Sequence, residues 1–229
     1  FLLVAFIGVI RRVSKAFDAE VRPHINKNKK ERPVFDAFSK KVRDMCADHE
    51  DYMALIDPNT PSSCILGSNV NLPNIFNDKK CHLVISHPPY LNSFNYTPVF
   101  SLEFYWGQPF EKEYTNGLHN LHKNELVAHP ASDKISDAYF EHLEKCYKET
   151  YKIQPVGGYL AIVIGDCTRN GEIVPVINKT IEIVKSIGYT PHEFNYRTTH
   201  YGLGKYAYRH RADYHGDADK KDGILIFKR

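Results

Sequence analysis

The sequence predicts an α/β domain with a mostly parallel sheet, preceded by helices. Three observations predict it. Short apolar runs bounded by turn residues occur at 63–67 (SCILG), 81–86 (CHLVIS) and 159–164 (YLAIVI), as in strands buried on both faces. Helical periodicity occupies the intervals at 135–153 and 174–187. Turn residues such as Gly157-Gly158 and Gly188 punctuate the junctions. Strands alternating with helices of this length are the grammar of an α/β sheet.

Taken in order, residues 1–16 read as a helix, with Leu2, Leu3, Phe6, Ile10 and Val13 at helical spacing. The apolar run 1–10 falls short of the ~20 residues of a membrane span. It leads into Arg11-Arg12 with no small-residue cleavage site, so a buried amphipathic helix is expected in place of a signal peptide. A basic stretch follows at 22–32, carrying Lys27, Lys29, Lys30 and Arg32. A second helix is expected over 34–55, with Phe35, Phe38, Val42, Met45, Tyr52 and Leu55 on one side, ended by Asp57-Pro58-Asn59-Thr60-Pro61. Residues 97–107 read as helix and 108–134 as an irregular candidate recognition insert. The strands 192–198 and 223–228 (GILIFK) close the chain. The expected division is a helical segment at 1–60 and an α/β domain at 61–229. Because the sequence opens on Phe, it is expected to be a piece of something longer.

Composition bounds the function classes. With 42% hydrophobic and 25% charged residues, wholesale disorder is excluded. A net charge of +3 neither demands nor forbids a polyanionic partner. Cys46, Cys64, Cys81, Cys146 and Cys167 are scattered and never at CxxC spacing, so free thiols in a reducing cytoplasm are expected.

The segment that carries chemistry is 83–107. An apolar strand empties into His87-Pro88-Pro89-Tyr90. Two prolines cannot continue a strand, since each lacks an N–H and fixes φ. They make a rigid loop at the strand's C-terminal edge, where open α/β sheets bind ligands. The Pro88 carbonyl, outside the ladder, can accept a hydrogen bond, and Tyr90 offers a flat face for a base to stack on. An exocyclic amine of adenine or cytosine needs such a set: acceptors for its hydrogens and an aromatic ring holding a flipped base in plane.

This corner resembles motif IV of the amino-methyltransferases, in which Asp, Asn or Ser precedes Pro-Pro and an aromatic residue. The surroundings are similar to DNA N4-cytosine and N6-adenine methyltransferases of restriction–modification and related defence systems. The run Pro88 to Asn92, the aromatic segment Phe94 to Tyr96 and Leu102-Glu103-Phe104-Tyr105-Trp106-Gly107 carry the likeness, with GGYLAIVIGDCTRNGEIVPV matching the family's fifth strand and following loop. The resemblance covers about residues 63–229. It implies a partial Rossmann-like methyltransferase fold with a final antiparallel strand, S-adenosyl-L-methionine as cofactor and DNA as partner. His87 and the Pro88 carbonyl would align the amine, with Pro89 completing the corner and Tyr90 stacking. Asn92, Tyr96, Ser68, Asn69 and Asp166 become candidate substrate contacts, Asp166 having the alternative of capping the next helix. Lys27, Lys29, Lys30 and Arg32, with Lys205, Arg209 and Arg211 among tyrosines, become candidate phosphate contacts, the alternative being solvated polar loops.

The chain departs from the family in three places. His87 replaces Asp, Asn or Ser; a neutral imidazole can accept one hydrogen bond and a protonated one cannot, so activity should fall toward acid, or the subunit has lost its chemistry. Ser68-Asn69 stands where an acidic residue usually follows Gly. The glycine-rich donor loop is absent from the sequence, which implies that another segment or a second chain supplies it. The rival functions are an RNA or protein-glutamine methyltransferase and a non-catalytic specificity or scaffolding subunit.

Overall fold

The apolar runs at 81–86, 159–164 and 223–228 pair in one short sheet, and the amphipathic N-terminal helices belong to a different compact unit. The computed structural model describes residues 1–18, 23–65, 67–93, 95–110, 125, 126, 128, 132–169, 172–199 and 220–229, side chains of 198, 199 and 220 excepted. It divides into two compact units, 1–64 with 95–125 and 65–94 with 126–229.

In the first unit, α1 (Leu2–Val13) turns Ala5, Val9 and Ile10 inward and lies against α2 (Val34–Met53). Helix α2 buries no residue fully, and Phe35 is 84% exposed. The helix expected over 97–107 is two, α4 (Tyr96–Val99) and α5 (Ser101–Gly107), because Phe100 at φ −97°, ψ 17° leaves the helical region. The short helix α3 (Leu72–Phe76) belongs to the second unit. Arg11 ties α1 to this pair: its Nε donates to Glu103 Oε1 at 2.5 Å and its fork to the Val99 carbonyl. Both charges are largely out of water, where neither is tolerable without the other.

In the second unit, β1 (Leu83–Ser86), β2 (Tyr159–Gly165), β6 (Lys220–Lys228) and β5 (Thr190–Thr199) form one sheet in that order. β1 and β2 are parallel, and β6 runs antiparallel to both of its neighbours. Three strands therefore share a direction and the last in sequence opposes them, as expected from the sequence. Helices α6 (Asp133–Ile153) and α7 (Val176–Ile187) cover one face. Ser132 Oγ accepts from the Ile135 N–H and starts α6. Tyr139, Phe140, Leu143 and Tyr147, at three- and four-residue spacing, meet Leu160, Ile162, Ile164, Leu225 and Phe227. Gly188, at φ +117°, ends α7 in the left-handed region that favours glycine. Buried Gln154 donates to the Tyr159 carbonyl at 2.7 Å and accepts from the Tyr189 hydroxyl, knitting the bottom of the sheet.

Two expectations change. The run 63–67 does not form a strand among its described residues: Ser63, Cys64 and Ile65 are exposed, and the chain passes through a 3-10 turn (Asn69–Asn71) into α3. An apolar run becomes a strand only when a ladder takes its backbone groups, and β1 pairs only with β2 among the described residues. The segment after Gly165, expected as loop, contains a hairpin of β3 (Cys167–Arg169) and β4 (Glu172–Val174). No helix among the described residues is long and apolar enough to cross a membrane.

Candidate functional site

Parallel pairing brings the C-terminal ends of β1 and β2 to one edge, Ser86 beside Ile162 and Gly165 a short step beyond. Antiparallel β6 starts at the same edge, with Asp222 opposite Gly165, and Arg197 of β5 lies opposite Asp222. The His87–Tyr90 corner springs from this edge.

Its buried side is pinned by hydrogen bonds. The Tyr139 hydroxyl donates to the Pro89 carbonyl at 2.7 Å, and the Tyr147 hydroxyl lies 3.3 Å from Ser86 Oγ. Burial pushes both phenols well above the ordinary tyrosine range, so they remain protonated. Leu91, 1% exposed, anchors the loop in the core. Asn92 then adopts φ +61°, a conformation asparagine tolerates. Its N–H donates to the Ala128 carbonyl at 2.6 Å and its Nδ2 to the Thr168 carbonyl at 2.8 Å.

The other side carries the groups of interest. His87 is exposed, and Pro88, Pro89 and Tyr90 are half-buried. The His87 and Tyr90 rings meet edge to face, with centroids 5.3 Å apart and planes at 88°. Tyr90 lies so close to the end of β2 that a Cβ on Gly165 would come within 2.9 Å of its Cε2, and closer still to Asp222 Oδ1. Only a glycine leaves room for that approach. The Pro89 carbonyl is occupied by Tyr139, whereas no hydrogen bond reaches the Pro88 carbonyl among the described residues. The corner thus carries one carbonyl acceptor, one imidazole and one aromatic ring.

The other candidate residues are distributed differently. Asn92, a candidate substrate contact, donates from its amide nitrogen to the Thr168 carbonyl within the loop. Asp166 Oδ1 accepts from the Ile177 N–H at 3.0 Å and so caps α7; the capping alternative describes its position. Burial raises its carboxyl above the usual carboxylate range, an effect the α7 N–H groups and Lys221 oppose. Ser68 and Asn69 are exposed at the start of the 3-10 turn, outside any strand. Tyr96 belongs to the first unit, where its ring stacks on Phe100 with centroids 6.2 Å apart.

Lys29, a candidate phosphate contact, is engaged within its own loop. Its Nζ donates to the carbonyls of Arg11 and Ala16 and to Asp18 Oδ1, closing its own loop and leaving its charge little access to a phosphate. Arg32 stands 3.7 Å from Asp18, and Lys27 and Lys30 are exposed. Lys205, Arg209 and Arg211, and most of the 108–134 insert, lie outside the described residues. Sequence reasoning missed Tyr139, which reads as one more apolar-face residue of a helix, and Gly165, a lone glycine. It also passed over Arg197 and Asp222, whose pairing depends on strand register.

Among solved structures, the chain is similar to a candidate DNA modification methylase of Thermus thermophilus, in three crystal structures. For a selenomethionine derivative the TM-score is 0.40 at 16% identity, covering 71% of this chain and 50% of that one. For its complex with S-adenosyl-L-methionine the values are 0.43 and 14%, covering 72% and 51%. For a third structure they are 0.43 and 14%, covering 72% and 52%. The chain thus spans about half the length of the structures it matches. No family model matches the sequence, and no curated protein does.

Proposed function

We propose that this chain is the target-base half of an S-adenosyl-L-methionine-dependent methyltransferase acting on the exocyclic amine of adenine (N6) or cytosine (N4) in DNA. The observation that carries the reading is the Pro-Pro-Tyr corner at the C-terminal strand edge, held from its buried side by Tyr139 and Tyr147. A flipped base stacks on Tyr90 while its amine donates one hydrogen to the Pro88 carbonyl and the other to the neutral His87 imidazole. Both acceptors draw the amine hydrogens to one side and direct the nitrogen lone pair to the other. His87, exposed to water, can pass on the proton released by the methylated amine.

The described residues do not fit the methyl donor. β1 runs into two prolines and β2 into Asp166 and β3, and among the described residues neither junction carries a glycine-rich loop. The donor is therefore assigned to another segment or to a second chain, and this chain's part is to bind and orient the base. Support for such a neighbour comes from β1, an edge strand whose Leu83 and Ile85 are 54% and 73% exposed although parallel strands are ordinarily covered on both faces.

The test is transfer of labelled methyl from S-adenosyl-L-methionine to DNA by this chain together with its donor-binding complement, with N6-methyladenine or N4-methylcytosine identified by mass spectrometry. Tyr90→Ala should abolish transfer, and His87→Ala should lower it. Full activity of both variants sinks the reading. A second reading, a non-catalytic scaffolding or specificity subunit, is favoured by His87 standing in the acceptor position. It predicts no transfer to DNA, RNA or a glutamine peptide, with the complement's activity still dependent on this chain's presence.

A further inference from the structure

We infer that Arg197, oriented by Asp222, is a contact for the backbone phosphate of the nucleotide whose base stacks on Tyr90; the inference rests on the proposed function. Tyr90 packs over Gly165, and the Asp222 carboxylate crowds that same glycine from the next strand. Asp222 Oδ2 in turn accepts from the Arg197 guanidinium at 2.8 Å, across the directly facing register of β5 and β6. The ring, the carboxylate and the guanidinium thus form one chain of neighbours along the strand edge.

Their exposures differ in a way that suits a ligand. Asp222 is 19% exposed and Arg197 78% exposed, so the acid is the anchor and the cation is the part that reaches water. Asp222 engages one arm of a fork that carries five N–H donors in a fixed plane. The remaining donors match the oxygens of a phosphate. The other charged groups at this edge are compatible. Lys221, exposed and adjacent in β6, adds a second cation, Asp166 is turned to the α7 N–H groups, and the His87 ring meets the Tyr90 ring edge to face. A base drawn onto Tyr90 carries its sugar and phosphate outward, and Arg197 is the cation one neighbour away.

The test is fluorescence anisotropy of a labelled DNA duplex containing one 2-aminopurine, titrated over a range of salt. For Arg197→Gln, the slope of log affinity against log salt should be shallower by about 0.9, and binding at 0.1 M salt weaker by roughly five- to tenfold. Arg197→Lys should recover most of the slope, because a point charge still meets a phosphate. Tyr90→Ala should keep the slope while losing the rise in 2-aminopurine fluorescence that reports unstacking. An unchanged slope in Arg197→Gln, with its Tm intact, overturns the phosphate contact and leaves the base-binding reading standing. A wild-type chain that binds no DNA, or a fluorescence rise indifferent to Tyr90→Ala, overturns the base-binding reading and this inference with it.

Discussion

The two faces of the four-stranded sheet meet different surroundings, although β1 and β2 send apolar residues to both. On one face, Leu160, Ile162, Ile164, Leu225 and Phe227 are 0% exposed beneath α6 and α7. On the other, Leu83, Ile85 and Ile224 are exposed beside half-buried Ala161, Val163 and Ile226. Strand β5 meets water there in the ordinary way, placing Glu193 opposite Ile226 and Asn195 opposite Ile224. β1 and β2 stay largely apolar on both faces. Their outward residues suit a covered sheet, so the comparison separates what this chain stabilises by itself from what its sequence is prepared to meet.

The largest effect that can break this comparison is in the core. Leu160→Ala should cost about 2–5 kcal/mol in urea denaturation, the usual loss for a fully buried leucine in a close-packed site. Ile85→Ala, on the open face of the same sheet, should stay within about 0.5 kcal/mol. Similar costs at the two positions would show that the faces are equivalent after all.

Next in size is Gly165→Ala, which tests how the open edge is shaped. The new methyl must displace both the Asp222 carboxylate and the Tyr90 ring, so a loss of about 1–3 kcal/mol is expected. It should come with loss of the 2-aminopurine response to DNA. A stable variant with an unchanged response would mean that Tyr90 does not work from the position seen here. Tyr139→Phe is milder. Removing one hydroxyl leaves the Pro89 carbonyl without its donor, for about 1–2 kcal/mol. The corner should then hold a base less well while the salt dependence of DNA binding stays the same.

Much of this was legible in the sequence, for reasons that can be named. Apolar runs of strand length and a helix with Tyr139, Leu143 and Tyr147 on one face specify the α/β layering, because burial periodicity is a local property. The proline pair was legible because proline's missing N–H acts at its own position. Register is a property of two segments at once, so neither the Arg197–Asp222 pair nor Gly165 beneath Tyr90 could be read from one run of letters. Residues 63–67 misled for the converse reason: their composition suits a strand, but strand formation needs a neighbour that the described residues do not provide. Lys29 looked like part of a basic patch because charge is visible in sequence and the three oxygens that engage it are not.

The smallest expected effect decides between two uses of Asp166. Burial raises its carboxyl pKa in the folded chain, so between the unfolded value, about 4, and the folded value, the native state binds more protons. Stability should therefore decline as pH rises through that window. Asp166→Asn keeps an oxygen for the Ile177 N–H and removes the ionisation. The variant should match the wild type below about pH 4 and gain on it as pH rises to neutral. Partial solvent screening holds the difference under about 1 kcal/mol. If Asp166 is only the α7 cap, DNA affinity at neutral pH is unchanged by the substitution. If the carboxylate also meets the base or sugar, affinity moves while the stability profile stays as described, and the edge beside Tyr90 gains a further substrate contact.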